Sequence, residues 1–359
     1  MVPDLSSEWH AWRVPEDSEP YLREELARTF PGVSVWAPAP GFLAISARAV
    51  SGPPPILAFA QQTLPGAEIR EVPSIRSAAE FLVERMLEQW PDEAPWRLHV
   101  ASCYGGDGAG ENRCRLIDES VMEQLRRRRR HRLKHRLNAS DPVRAGEHWM
   151  QWLLTEPGRG VVSIAAAPVV AAWRSGLVPY AAGVIPVAVD KSAPSRAFAK
   201  LVESEVRLGR RIEPGQTVVD LGACPGSWTY WALGRGARVT AVDRSPLRED
   251  LMADARVTFV RGDAFGFRPE VPVDWLVCDV IAVPERSIDL AIRWARERWA
   301  RQLVVTIKFR GDAEYGVLDR LKVELAPECE EFRLARLCAN RNEACVMGVV
   351  RGMSGEGTM

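Results

Sequence analysis

VVDLGACPGSWTY, residues 218–230, is the stretch from which the chain is best read. A short apolar run carries Asp220 near its end, glycines follow at 222 and 226, and an aromatic-rich segment begins at Trp228. That order is strand, tight turn, helix. Glycine lets a backbone turn sharply and approach a ligand with no β-carbon in the way. Open parallel sheets bind ligands outside the carboxyl ends of their strands, so a cofactor is expected on the turn of Gly222, Cys224, Pro225, Gly226, Ser227 and Trp228. The spacing is not G-x-G-x-x-G, which weakens a dinucleotide reading, and no G-x-x-x-x-G-K-[ST] phosphate loop occurs.

The same alternation continues downstream. Strands are expected at 217–221, 238–243, 257–260, 274–279 and 302–308, with helices at 228–233, 247–253, 286–299 and 314–325. Residues 332–337 and 344–350 read as a terminal antiparallel pair. This is an α/β pattern, a doubly wound and mostly parallel Rossmann-like sheet. Two acids sit where an adenosyl group would need them. Asp243 ends the second strand (VTAVD) and can accept from both ribose hydroxyls; Asp263, in RGDAF after the third, can accept from the adenine amino group. Either alone could merely cap a helix. Three successive strand ends that carry an acid or a glycine turn point to a bound cofactor.

Upstream, the first ~180 residues are rich in Pro and Trp, with apolar stretches at 42–46 and 98–101, and form a smaller α+β region. They hold one dense charge feature. Arg126, Arg127, Arg128, Arg129 and Arg130 are consecutive, and Arg132, Lys134 and Arg136 continue the run. Val121, Met122, Leu125, Leu133 and Leu137 keep helical spacing, so a single helix is expected, capped by Asp118 and basic toward its C-terminus. A solvated helix face normally mixes signs. Eight cations and no acid in eleven residues repel one another unless a polyanion is near, which points to a phosphate backbone. The formal net charge is zero, so any nucleic-acid binding is local.

A length of 359 residues allows two or three domains. The expected division is 1–85, an N-terminal α+β subdomain; 86–180, a domain with the basic helix; and 181–359, the Rossmann-like domain, with a Pro- and Gly-rich linker near 178–194 and a frayed tail at 352–359. At 47% hydrophobic and 26% charged the composition is that of an ordinary soluble protein, with no run long enough to span a bilayer. The N-terminus has no basic region followed by an apolar stretch, so no secretory leader is expected. The seven cysteines form no CxxC pair and the five histidines no cluster with them. A reduced, cytoplasmic, metal-free monomer without a membrane partner is the economical expectation.

DLGACPGSWTYWA, together with APSRAFAKLVE, WLVCD, VTIKFRG and RNEACVMGVV, resembles the motifs of FtsJ-type ribose 2′-O-methyltransferases. Within that group the chain is most similar to the ribosomal RNA large-subunit methyltransferase M family, which places a THUMP-type RNA-binding region before the catalytic domain. The match is specific from about 194 to 350. The resemblance implies S-adenosylmethionine as cofactor, S-adenosylhomocysteine as product, and a ribose 2′-hydroxyl of large-subunit ribosomal RNA as acceptor, on a cytidine of naked or precursor RNA. It also implies a Lys-Asp-Lys-Glu tetrad, matched by Lys200, Asp279, Lys308 and Glu343, with Asp279 also beside the cofactor and Lys308 the proton acceptor.

The chemistry suits those residue types. A 2′-hydroxyl is a poor nucleophile until its proton is removed, and a lysine removes it only as the neutral amine, well below its free pKa of about 10.4. Desolvation and a neighbouring cation both favour that form. Ser227 stands where the family has the second glycine of C-P-G-G, and Ala197 where it commonly has a serine. Rival readings are a non-catalytic RNA-binding protein on a methyltransferase fold, or a 2′-O-methyltransferase acting on another RNA such as tRNA. Amino-group methylation would call for Asn/Asp-Pro-Pro-aromatic after the fourth strand; residues 280–284 read VIAVP. Neither Cys224 in the turn nor Cys278 inside a strand is placed to attack a base.

Overall fold

The computed structural model describes residues 9–51, 53–105, 108–310, 315–339 and 342–353. The chain divides into two units, 1–185 and 186–359.

Unit 1 is built on one six-stranded sheet. Its elements are β1 (Trp9–Arg13), α1 (Glu19–Thr29), β2 (Phe42–Ser46), β3 (Gln62–Glu71), α2 (Ile75–Gln89), β4 (Trp96–Ser102), α3 (Glu111–Arg128), β5 (His148–Glu156), β6 (Arg159–Ala165) and α4 (Ala167–Ala172). The strand order is β2-β1-β3-β6-β5-β4, antiparallel except for β4 with β5. Helices α2 and α3 place Leu82, Met86, Val121 and Leu125 against Trp96, Met150 and Trp152, all buried. Each such aliphatic side chain contributes about 1.5–3 kcal/mol. The boundary expected at 85/86 therefore falls inside α2, and β3 pairs with β6 across it. Neither half could bury its sheet face alone, so residues 1–185 form one unit.

Two further expectations change here. The basic run is not one helix: α3 starts at Glu111 after Gly110 and ends at Arg128, and a 3-10 turn follows over Arg130–His135. Asp118 lies inside α3 and caps nothing; its carboxylate accepts two bonds from Arg136, at 2.7 and 2.8 Å. The start of the expected 178–194 linker is docked, because the buried Gln62 donates to the carbonyls of Val178 and Tyr180, at 2.9 and 3.0 Å.

Unit 2 holds α5 (Phe198–Leu208), β7 (Thr217–Leu221), α6 (Ser227–Gly234), β8 (Arg238–Asp243), α7 (Glu249–Met252), β9 (Val257–Arg261), β10 (Val273–Cys278), α8 (Pro284–Arg296), β11 (Ala300–Lys308), β12 (Cys329–Ala335) and β13 (Glu343–Val350). The strand order is β12-β13-β11-β10-β7-β8-β9, the α/β arrangement expected from the strand periodicity. Strands β11, β10, β7, β8 and β9 run parallel, and β13 is antiparallel to both its neighbours. Helix α8 shows how local chemistry makes an element. Pro284 is pre-set for its first turn, and Ile288, Leu290, Ala291, Ile292, Trp294 and Ala295 are buried. The helix expected over 314–325 is instead a 3-10 turn at Tyr315–Leu318 and a π turn at Leu321–Leu325, residue 314 lying outside the described residues. Of the expected tail, residues 354–359 also lie outside them. Chain order along the sheet reverses between β10 and β7, and a crevice opens at the carboxyl ends of strands at such a switch point. Among the described residues no helix is long and apolar enough to cross a membrane.

Candidate functional site

The carboxyl ends of β7, β8, β10 and β11 surround a cavity of about 500 Å³, lined by Asp220, Gly222, Cys224, Pro225, Ser227, Trp228, Asp243, Asp263, Asp279 and Lys308 among others. That volume lies within the usual range for small-molecule sites. Unit 1 has a larger cavity of about 760 Å³, lined in part by Arg13, Arg115 and Arg136. Its guanidinium groups are already engaged: Arg13 with the Ala182 carbonyl, Arg115 with Glu119, Arg136 with Asp118. Size does not select the site; convergent polar groups do.

One side of the unit 2 cavity is the glycine turn. Gly222 and Gly226 have φ of +74° and +106°, left-handed values that other residues avoid. A β-carbon on Gly222 would lie 3.0 Å from Cβ of Val280, and one on Gly226 would collide with Leu251. The turn is tied to β8 through Asp243, which accepts from the backbone N–H of Cys224 at 3.0 Å and of Ser245 at 2.9 Å. A carboxylate has about four lone-pair sites, so Asp243 keeps acceptor capacity toward a pair of ribose hydroxyls. That remaining acceptor capacity fits the hydroxyl donors of an adenosyl group's ribose. Asp263 lines the same cavity but is half exposed, and its carboxylate meets Arg244 at 3.2 Å and Arg286 at 3.9 Å. Where the family has a second glycine, Ser227 bonds Ser195 (Oγ to Oγ, 2.7 Å), and Ala197 offers its carbonyl to the indole N–H of Trp228 at 2.8 Å.

Asp220 sits at the floor, fully buried, with the Thr229 hydroxyl donating to it at 2.7 Å. Burial pushes its carboxyl up to about 7 against the Thr229 bonds, and the nearby charges of Asp279 and Asp243 push the same way.

On the other side the four residues of the expected tetrad meet. The Lys200 ammonium, on α5, donates to both Asp279 oxygens at 3.1 Å and to Glu343 at 2.6 Å. The Lys308 ammonium donates to the Asp279 main-chain carbonyl at 2.8 Å and lies 3.0 Å from Asp279 Oδ1. Lys308 and Glu343 are direct partners across the β11–β13 ladder, which is what brings Glu343 to the cluster. Burial works against the Lys200 ammonium, yet Asp279 and Glu343 outweigh it and hold its pKa above the ordinary lysine value. Lys200 is thus a fixed cation of the cluster.

One partner escaped the sequence reading. Thr306 is buried on β11 and its hydroxyl donates to Asp279 Oδ1 at 2.7 Å. The available signal was the strand period of two, which puts Thr306 on the same face as Lys308. The two thiols beside the cavity are held toward the protonated form: burial pushes Cys278 up to about 12, and burial with the Asp243 charge raises Cys224.

Of the eight cations of the basic run, Arg126, Arg127, Arg128, Arg129, Arg130 and Lys134 are exposed. Arg132 is not. Its side chain is 3% exposed and donates to Asp92 at 2.8 Å and to the Trp90 carbonyl at 2.6 Å. Arg132 is engaged inside the unit and is withdrawn from the expected RNA-facing set, and Arg136 is partly buried and paired with Asp118.

Residues 193–352 match the model of the FtsJ-like methyltransferases. They form an FtsJ-like methyltransferase domain. Curated proteins named ribosomal RNA large subunit methyltransferase M are similar to part of the chain. The one from Laribacter hongkongensis is 40% identical over 157 residues, 41% of this chain and 44% of its own length. The one from Halorhodospira halophila is 43% identical over 132 residues, 36% and 39% of the two lengths. The one from an Azoarcus species is 32% identical over 197 residues, 52% of each. The chain thus spans about half the length of these relatives, or less. Among solved structures, TrmN from Thermus thermophilus is similar at 15% identity and a TM-score of 0.33, over 95% of this chain and 99% of its own.

Proposed function

We propose that this chain transfers the methyl group of S-adenosylmethionine to a ribose 2′-hydroxyl of large-subunit ribosomal RNA, on a cytidine of naked or precursor RNA. The observation that carries the reading is the Lys200–Asp279–Lys308–Glu343 cluster, which borders the cavity that also contains the Gly222–Gly226 turn and Asp243. When bound, the cofactor supplies an electrophilic sulfonium methyl. The turn and Asp243 would hold its adenosyl part, with Asp263 and Asp279 as further residues of the same cavity that would meet it.

The chain's own residues do the rest. Lys200, charged and clamped between two carboxylates, keeps Asp279 and Glu343 in place. Asp279 holds Lys308 by both its side chain and its main-chain carbonyl, so the lysine nitrogen has a defined position at the mouth. As the neutral amine Lys308 would accept the proton of the 2′-hydroxyl and so free that oxygen as the nucleophile. Fixing these groups before the reaction lowers the entropy cost of bringing them together. The exposed arginines 126–130 and Lys134 support an RNA substrate, and we assign unit 1 a THUMP-type role in gripping the phosphate backbone. Arg126, Arg130 and Lys134 make no ion pair among the described residues, so their charge is open to phosphate.

The test is single-turnover methyl transfer to transcribed large-subunit ribosomal RNA, with the product nucleotide mapped. Lys308→Ala abolishes transfer and leaves binding of S-adenosylhomocysteine intact. Lys308→Arg also fails, because guanidinium keeps its proton to about pH 12 and beyond. Full activity of the arginine variant leaves Lys308 an electrostatic role only. Transfer to RNA with a 2′-deoxy sugar at the mapped position refutes ribose chemistry, and transfer to tRNA alone replaces the substrate.

A further inference from the structure

We propose that Thr306 is a positioning residue for this methyl transfer, fixing Asp279 Oδ1 as the anchor from which Lys308 is aimed; the inference rests on the reading above.

Asp279 Oδ1 is surrounded by three donors: Lys200 at 3.1 Å, Lys308 at 3.0 Å and the Thr306 hydroxyl at 2.7 Å. Oδ2 meets only Lys200 among these, also at 3.1 Å. A hydroxyl has one proton to give. The alternative acceptor, the Cys278 carbonyl, lies 3.4 Å from Thr306 Oγ1, so the proton points at the carboxylate.

The three donors differ in stiffness. A lysine nitrogen rides on a four-carbon stem and follows whatever it is bonded to. Thr306 is β-branched, stiff at χ1 and wholly buried in β11, between strands β10 and β13. The rotation of an aspartate carboxyl about χ2 is intrinsically broad. Without a rigid donor, Asp279 would turn with the lysines; with Thr306 it cannot. Thr306 and Lys308 are two residues apart on one strand, so the strand that supplies the base also supplies the group that sets its anchor. Thr306 acts through Asp279 and touches neither substrate.

Thr306→Val keeps the shape and removes the donor. The expected result is a fall of about 10- to 100-fold in the single-turnover rate, the scale for misplacement of reacting groups by up to about 1 Å. The KM for RNA and the Kd for S-adenosylhomocysteine stay within about twofold. Thr306→Ser restores the hydroxyl and returns the rate to within about threefold of wild type, a rescue that a packing role would not give because serine lacks the methyl group. If Thr306→Val loses its near-ultraviolet circular dichroism, Thr306→Cys carries the test as a buried, weak donor of similar volume, with an expected loss of about 3- to 10-fold. A wild-type rate in the folded valine or cysteine variant overturns the inference, as does a serine variant no faster than the valine one. Absence of transfer by the wild-type protein to any RNA overturns the proposed function first and this inference with it.

Discussion

Replacing Asp220 by asparagine changes how the stability of unit 2 depends on pH, and the size of the change follows from the structure. The carboxyl is fully buried at the carboxyl end of β7, and its pKa is raised from an ordinary 3.8 to about 7, chiefly by that burial. The folded state therefore holds a proton that the unfolded state has released, between about pH 4 and pH 7. Stability falls with pH wherever the folded state binds more protons. At about 1.4 kcal/mol per pH unit, this one group removes about 4 kcal/mol between pH 4 and pH 8, roughly 3 of them between pH 5 and pH 8. Asparagine keeps an acceptor for the Thr229 hydroxyl and cannot ionise. The wild type is therefore expected to lose stability relative to Asp220→Asn as pH rises from 5 to 8, and to level off below about pH 4. The assay is hydrogen exchange of β7 amides under denaturant, which reads unit 2 by itself, with variant and wild type compared at each pH so that other titrating groups cancel. A difference between the two that stays constant from pH 5 to pH 8 refutes the argument and makes Asp220 an ordinary ionised carboxylate.

Two other predictions concern ligands. Asp243→Ala should weaken binding of S-adenosylhomocysteine by roughly 1–3 kcal/mol, the scale of charge-assisted hydrogen bonds; calorimetry that finds unchanged affinity removes Asp243 from the site. Neutralising Arg126, Arg129 and Arg130 should lower the log–log salt dependence of RNA binding by about 2 units, from roughly 0.7 per phosphate contact on single strands, whereas Arg132→Ala should leave that slope alone and destabilise unit 1. Equal slopes for the triple variant and wild type would assign the basic run to something other than phosphate.

What could be read from the sequence was what depends on neighbours along the chain. The strand–turn–helix around Gly222 and the parallel strands of unit 2 rest on periodicity and turn chemistry, and the structure has them within a few residues. The tetrad came from a family resemblance, and it closes in space only through pairing that periodicity does not state. Glu343 reaches Lys200 because β13 runs antiparallel to β11 in a register that sets it opposite Lys308. Slipping that register by one residue would turn Glu343 to the other face of the sheet.

The misreadings share the same cause from the other side. Arg132 looks like its neighbours in sequence, yet the chain leaves the helix at Arg129, and the turn that follows drives its guanidinium to Asp92 and the Trp90 carbonyl, about forty residues away. A lone charge in a basic run cannot announce a distant acid. Likewise the boundary expected at 85/86 followed a shift in local texture, while the sheet closes through β3 and β6, which are nearly a hundred residues apart. Thr306 was hidden for a subtler reason: a threonine in the middle of VVTIK satisfies strand propensity without any function. Its hydroxyl has a purpose only because β10 runs parallel beside it and ends one residue before Asp279. The site is thus assembled by long-range strand pairing from residues that are unremarkable one at a time, and a single shifted register would separate Lys308, Thr306 and Glu343 from Asp279 while leaving every local motif intact.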